Sequence, residues 1–82
     1  MKHCTYNTRG TCSRRIDFDL DESGRLHNVC FLGGCAGNTA GISSLAEGMD
    51  ARELAERLRG IPCGSKSTSC PDQLAQAIEQ NL

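Results

Sequence analysis

The residues with the most chemistry in this chain are its cysteines: Cys4, Cys12, Cys30, Cys35, Cys63 and Cys70, six in 82 residues. Cys63 and Cys70 bracket a loop that leaves one helical pattern and enters another, and Pro71 follows directly. Proline is favoured at the first position of a helix, where its missing N–H would have no partner anyway. Pro71 therefore predicts Cys70 at the helix N-cap, with its sulfur at the positive end of the helix. That setting favours a thiolate, the form of cysteine that binds metal or attacks electrophiles. Cys35 lies in Gly33-Gly34-Cys35-Ala36-Gly37, where a strand pattern hands over to a helix. Two helix starts and one helix end can meet at one edge of a sheet, which would bring Cys35, Cys63 and Cys70 together. Tetrahedral zinc takes four ligands, and the irons of a cluster also take thiolates. Cys12, in the Gly10-containing turn, stands evenly between a buried thiol and a fourth ligand.

Plainer roles are expected elsewhere. Cys4 and Cys30 fall inside strands and read as small buried side chains. His3 and His27 read as solvent-facing strand residues, Lys66 as a solvated loop lysine, and Asn38 as a helix cap. Asp72, in the first turn of the last helix, reads as a partner for the helix dipole. Cys63 and Cys70 are also the best-placed pair for a redox dithiol. The paired Cys-x2-Cys knuckles of a zinc ribbon are absent.

The elements that must position these thiols follow from periodicity. Residues 3–8 form a short strand. Arg15 to Leu20 alternates strictly, with Ile16, Phe18 and Leu20 on one side and Arg15, Asp17 and Asp19 on the other, the mark of a half-buried strand. Asp21-Glu22-Ser23-Gly24 is turn chemistry. Leu26 to Leu32 returns as the hairpin partner, apolar at Val29, Phe31 and Leu32. A helix is predicted over Thr39–Glu47, with Ile42 and Leu45 on one side. A second starts at the Asp50/Glu53 capping box, carries the apolar stripe Ala51, Leu54, Ala55 and Leu58, and stops at Gly60. A third is predicted over Pro71–Gln80, with Leu74, Ala77 and Ile78 inward. Strands first and helices after indicate an α+β fold: a small three-stranded antiparallel sheet with about three helices on one face, in a single domain over residues 1–82.

Bulk properties exclude several function classes. A net charge of −1, with no Lys/Arg cluster interleaved with aromatics, argues against nucleic-acid binding. The uncharged stretch from Asn28 to Ala46 is glycine-rich and reads as strand, turn and helix start, so no membrane span is expected. No apolar leader precedes Met1-Lys2-His3-Cys4, and ordinary helical core patterns are present. Both favour reduced cysteines in the cytoplasm over three disulfides, for which 15 pairings would exist.

At Thr68-Ser69-Cys70-Pro71-Asp72 the letters spell TSCPD, and the chain resembles the family named for that motif. The resemblance also runs through Gly10-Thr11-Cys12-Ser13, Phe31-Leu32-Gly33-Gly34-Cys35-Ala36-Gly37-Asn38, Gly41-Ile42, Glu47-Gly48-Met49 and Gly60-Ile61-Pro62-Cys63-Gly64. Similar domains form the C-terminal part of adenosylcobalamin-dependent ribonucleotide reductases. The resemblance thus implies an accessory module with a protein partner, a ribonucleotide reductase being the first candidate. The chain is too short for that enzyme's barrel and radical cysteine, so it is not expected to be an enzyme on its own. A fainter likeness, to NifU-type iron–sulfur scaffold proteins, implies a NifU/SufE-like arrangement in which Cys35, Cys63 and Cys70 bind zinc or a nascent cluster. The chain differs from them in lacking an aspartate just after Cys35 and in its short Cys63–Cys70 gap. Zinc is the first expectation, an iron–sulfur cluster the second, and Cys12 the fourth sulfur.

Overall fold

The computed structural model describes residues 1–11, 13–33, 36–62 and 68–82, with only the backbone of Ala36 and Asn38. Three strands come first: β1 Lys2–Asn7, β2 Ser13–Leu20 and β3 Leu26–Gly33. They pair antiparallel in the order β1-β2-β3. Three helices follow: α1 Ala36–Ala46, α2 Ala51–Leu58 and α3 Cys70–Gln80. The expected α+β architecture is the observed one.

The alternation in β2 decides which face the helices cover. Ile16 and Phe18 are fully buried and Leu20 nearly so, joined from β1 by Cys4 and from β3 by Leu26 and Val29. Against them lie Ala51, Leu54 and Ala55 of α2, and Leu74, Ala75, Ala77 and Ile78 of α3. The other sheet face carries His3, Thr5, Arg15, Asp17 and Asp19 in a polar net. His3 Nδ1 lies 2.8 Å from Asp19 Oδ1, and Thr5 Oγ1 donates to Asp17 Oδ1 at 2.8 Å.

Two β-bulges interrupt the ladder, and neither was expected. Asp17 pairs with Cys30 but Asp19 with His27, so β3 carries one extra residue there. Asn28 in that stretch has φ +56°, a left-handed conformation that asparagine tolerates better than most residues. The extra residue lets Leu26 and Val29, an odd number of steps apart, both face the core. In β2, Ser13 pairs with Gly33 and Arg15 with Leu32, so Arg14 is the extra residue. Ser13 and Ile16, also an odd number of steps apart, are buried on the same side for this reason.

Helix boundaries follow local chemistry. Asp50 caps α2 as expected, accepting from the Glu53 amide at 2.9 Å, and Glu53 pairs with Arg57 at 3.0 Å. Gly60, with φ +82°, ends the helix in the left-handed region. The first helix differs from expectation, starting at Ala36 rather than Thr39. Asn38 is therefore inside the helix and does not cap it. Leu45 is exposed, not paired inward with Ile42. The expected cap of α3 is also corrected. Ser69, not Cys70, is the N-cap: its hydroxyl accepts from the Asp72 amide at 3.1 Å, and Cys70 is the first helical residue. A hydroxyl is a far better acceptor than a thiol, so the helix begins one residue earlier than Pro71 alone suggests. Replacing Ser69 with alanine is expected to cost about 1 kcal/mol, read as a lower urea midpoint at unchanged m-value.

Candidate functional site

Cys70 is half-buried at the first turn of α3, and its Sγ lies 3.1 Å from the Ser13 hydroxyl. Ser13 is only 3% exposed, and the Arg14 bulge is what turns it inward. Its hydroxyl also contacts Thr11 Oγ1 at 3.1 Å, while its carbonyl accepts from the hydroxyls of Thr8 and Thr11. A hydroxyl beside a cysteine sulfur can donate to the thiolate form and fix its direction.

The β1–β2 turn is held against the start of α3 by two further contacts, made by Arg9 and Gly10. The Arg9 amide donates to Gln73 Oε1 at 3.0 Å, and Gln73 Nε2 donates to Thr68 Oγ1 at 2.9 Å. Gly10, at φ +74°, approaches so closely that a Cβ there would sit 3.1 Å from Thr68 Cγ2. Gln73 is thus a buried amide spent on joining two loops.

Asp72 closes the other side. One carboxylate oxygen accepts from the Gly60 amide at 2.7 Å; the other accepts from the Thr68 hydroxyl and from Gln76 Nε2 at 3.0 Å. Burial by itself would raise this carboxyl. The bonds from Thr68, Gly60 and Gln76, with the charge of Arg59, outweigh it and hold Asp72 below the ordinary carboxylate range. The expectation of a simple dipole partner is corrected: Asp72 is buried, and it ties the residue that ends α2 to the residues that open α3.

Of the four sulfurs expected at a metal site, the structure describes Cys70. Cys12, Cys35 and Cys63, with Lys66, lie outside the described residues. Their described neighbours meet at this end of the molecule. Thr11 and Ser13 flank Cys12, Gly33 is paired with Ser13, and Gly60 is bonded to Asp72. Among the described residues no group of three or more His, Cys, Asp or Glu is placed to hold a metal.

The remaining expectations divide. Cys4 is buried as expected, and burial raises its thiol. Cys30 is exposed, which corrects its expected burial: it alternates with Val29 and Phe31 on the uncovered face. His3 is exposed as expected, whereas His27 is half-buried between two carboxylates. Sequence reasoning missed Ser13 and Gln73 altogether. A signal for the Ser69 cap was present, since Ser69 precedes Asp72 by the same spacing as Asp50 precedes Glu53.

No described helix is long and apolar enough to cross a membrane. A family model described as the TSCPD domain matches residues 2–82, essentially the whole chain. No curated protein and no solved structure matches it.

Proposed function

The chain belongs to the TSCPD domain family, and from that premise we propose that it is a small thiolate metal-binding module. It would hold zinc first and an iron–sulfur cluster second through Cys35, Cys63, Cys70 and Cys12. One observation carries this reading. Ser13 pairs with Gly33 in the sheet and touches Cys70 Sγ at 3.1 Å, so the described flanks of Cys12 and Cys35 meet the one described ligand. The Gly60–Asp72 bond at 2.7 Å adds the approach to Cys63. Zinc held by four such sulfurs would supply a rigid tetrahedral tie beside the Gln73 and Asp72 bonds that already join these loops. The role is that of an accessory domain in a reducing compartment. A protein partner is proposed, and the sequence resemblance makes a ribonucleotide reductase the first to try.

Metal analysis of protein purified anaerobically without chelators tests the reading. About one equivalent of zinc or iron is expected, and less than about a tenth of an equivalent removes it. A metal-free protein that forms a reversible Cys63–Cys70 disulfide would instead establish the redox dithiol as the function.

A further inference from the structure

His27 stands apart from the thiol end of the molecule, and both of its ring nitrogens face carboxylates. Nε2 lies 2.7 Å from Asp21 Oδ2 in the β2–β3 turn, and Nδ1 lies 2.5 Å from Glu47 Oε2, one residue past the end of α1. A neutral imidazole has one N–H and one lone pair, so it can donate to only one of them. Both contacts are satisfied together only when the ring is an imidazolium with two N–H donors. The second oxygen of Glu47 accepts from the backbone amide of Asn28, the left-handed residue of the β3 bulge, at 2.9 Å. Glu47 therefore fastens the end of α1 to the sheet at two points, and one of them requires a protonated histidine.

The helix it fastens also packs on β3, and just past its end two backbone bonds reach the same strand: Gly48 N–H to the Leu26 carbonyl at 2.7 Å and Leu26 N–H to the Met49 carbonyl at 2.9 Å. Among its described side chains α1 buries only Thr39 and Ala46, whereas α3 buries six. Residues 36–46 carry no charge, so Glu47 is the first ionic tether the helix has. A carboxylate at a helix C-terminus opposes the dipole, and the imidazolium offsets that opposition. The other charged groups nearby are engaged elsewhere. Asp19, opposite His27 in the ladder, is bonded to His3 and Asn28, and the Arg25 guanidinium donates to the Gly48 carbonyl at 2.8 Å. Asp50 caps α2.

We propose that His27, clamped between Asp21 and Glu47, is a pH-operated latch that tightens the C-terminal end of α1 on the sheet, beside the backbone bonds that hold Gly48 and Met49 to Leu26, and loosens it as the solution turns alkaline. The direction follows from the partners. Bonds from Asp21 and then Glu47 raise His27 above its ordinary value. The histidine's contribution is therefore complete below about pH 6.5 and is lost as pH rises through the raised value. Backbone and histidine bonds hold Asp21 and Glu47 below the usual carboxylate range, so their contribution is lost only in strong acid. The latch is closed between these limits.

Amide hydrogen exchange of α1, corrected for intrinsic base catalysis, reads the latch directly, with α3 as the internal reference. Wild-type α1 protection is expected to fall about twofold to fivefold relative to α3 as His27 titrates, the range of exposed charge pairs. His27→Gln is expected to show the lower protection at every pH, with no step. Glu47→Gln is expected to flatten the same step and provides the readout if the histidine variant does not fold. A wild-type profile without a step overturns the latch, and so does a step that survives in either variant.

Discussion

Adding zinc to the apoprotein is expected to raise its melting temperature by roughly 15–30 °C, and Cys70→Ser is expected to abolish most of that shift. The size follows from linkage. A ligand at a thousandfold excess over its dissociation constant stabilises the folded state by about 4 kcal/mol, and a domain of this length gains about 4–8 °C per kcal/mol. Structural zinc sites bind tightly enough to reach that regime at micromolar zinc. Cys70 is the informative position because its surroundings are defined. Ser69 caps the helix in front of it and the Ser13 hydroxyl lies 3.1 Å from its sulfur. Serine retains the helix start and removes the thiol proposed as a ligand. Cys30→Ser is the matched control: that thiol is exposed on the open sheet face, and its loss is expected to leave the zinc shift intact. Equal melting temperatures for wild-type protein with and without zinc would defeat the metal reading.

The second large effect belongs to Asp72. Its carboxylate receives the Gly60 amide, the Thr68 hydroxyl and the Gln76 amide, and it is 5% exposed. Alanine would leave these donors without their acceptor, at an expected cost of about 2–4 kcal/mol in urea denaturation. The pH dependence follows the sign of the shift. Asp72 is held below its ordinary value, so its contribution is present above about pH 4 and drains away as acid carries the pH down through the folded value. Asp72→Asn is expected to flatten that part of the acid profile. A stability within about 0.5 kcal/mol of wild type in the alanine variant would show that the 60–72 connection contributes little to the fold.

How far these features could be read from the chain depends on how local their causes are. The period-2 run Arg15–Leu20 and the Asp50 cap of α2 are set by neighbours a few residues away, and both appear as expected, although the Glu53 carboxylate pairs with Arg57 rather than completing a capping box. Helix α1 starts earlier than its pattern predicts because its sequence, AGNTAGISSLA, offers no charge and little separation of polar and apolar sides. Its limits are set by packing on β3. The two bulges leave no period-2 signal, because each spoils the alternation that identifies a strand, at Ser13–Ile16 and at Leu26–Val29. The candidate site was legible as a list of thiols and a helix start. What surrounds Cys70 was not. Ser13 arrives through a bulge, and Asp72 and Gln73 are buried by partners in distant loops, Gly60 and Arg9. Asp72 looked like an ordinary first-turn acid because no local pattern records a long-range amide.

The bonds that define this end of the molecule also set its place in time. Ser13 meets Cys70 across 57 positions of the chain, and Arg9 meets Gln73 across 64. Contacts of such separation come after the hairpin and helices have shortened the path, since each closure must first overcome loop entropy. During synthesis the order is stricter. A nascent chain that ends before α3 has the β1–β2 turn, with its threonines bonded to Ser13, but not the Cys70 and Gln73 side chains that meet it. The surroundings of Cys70 are therefore completed only once α3 itself has emerged and docked against the β1–β2 turn.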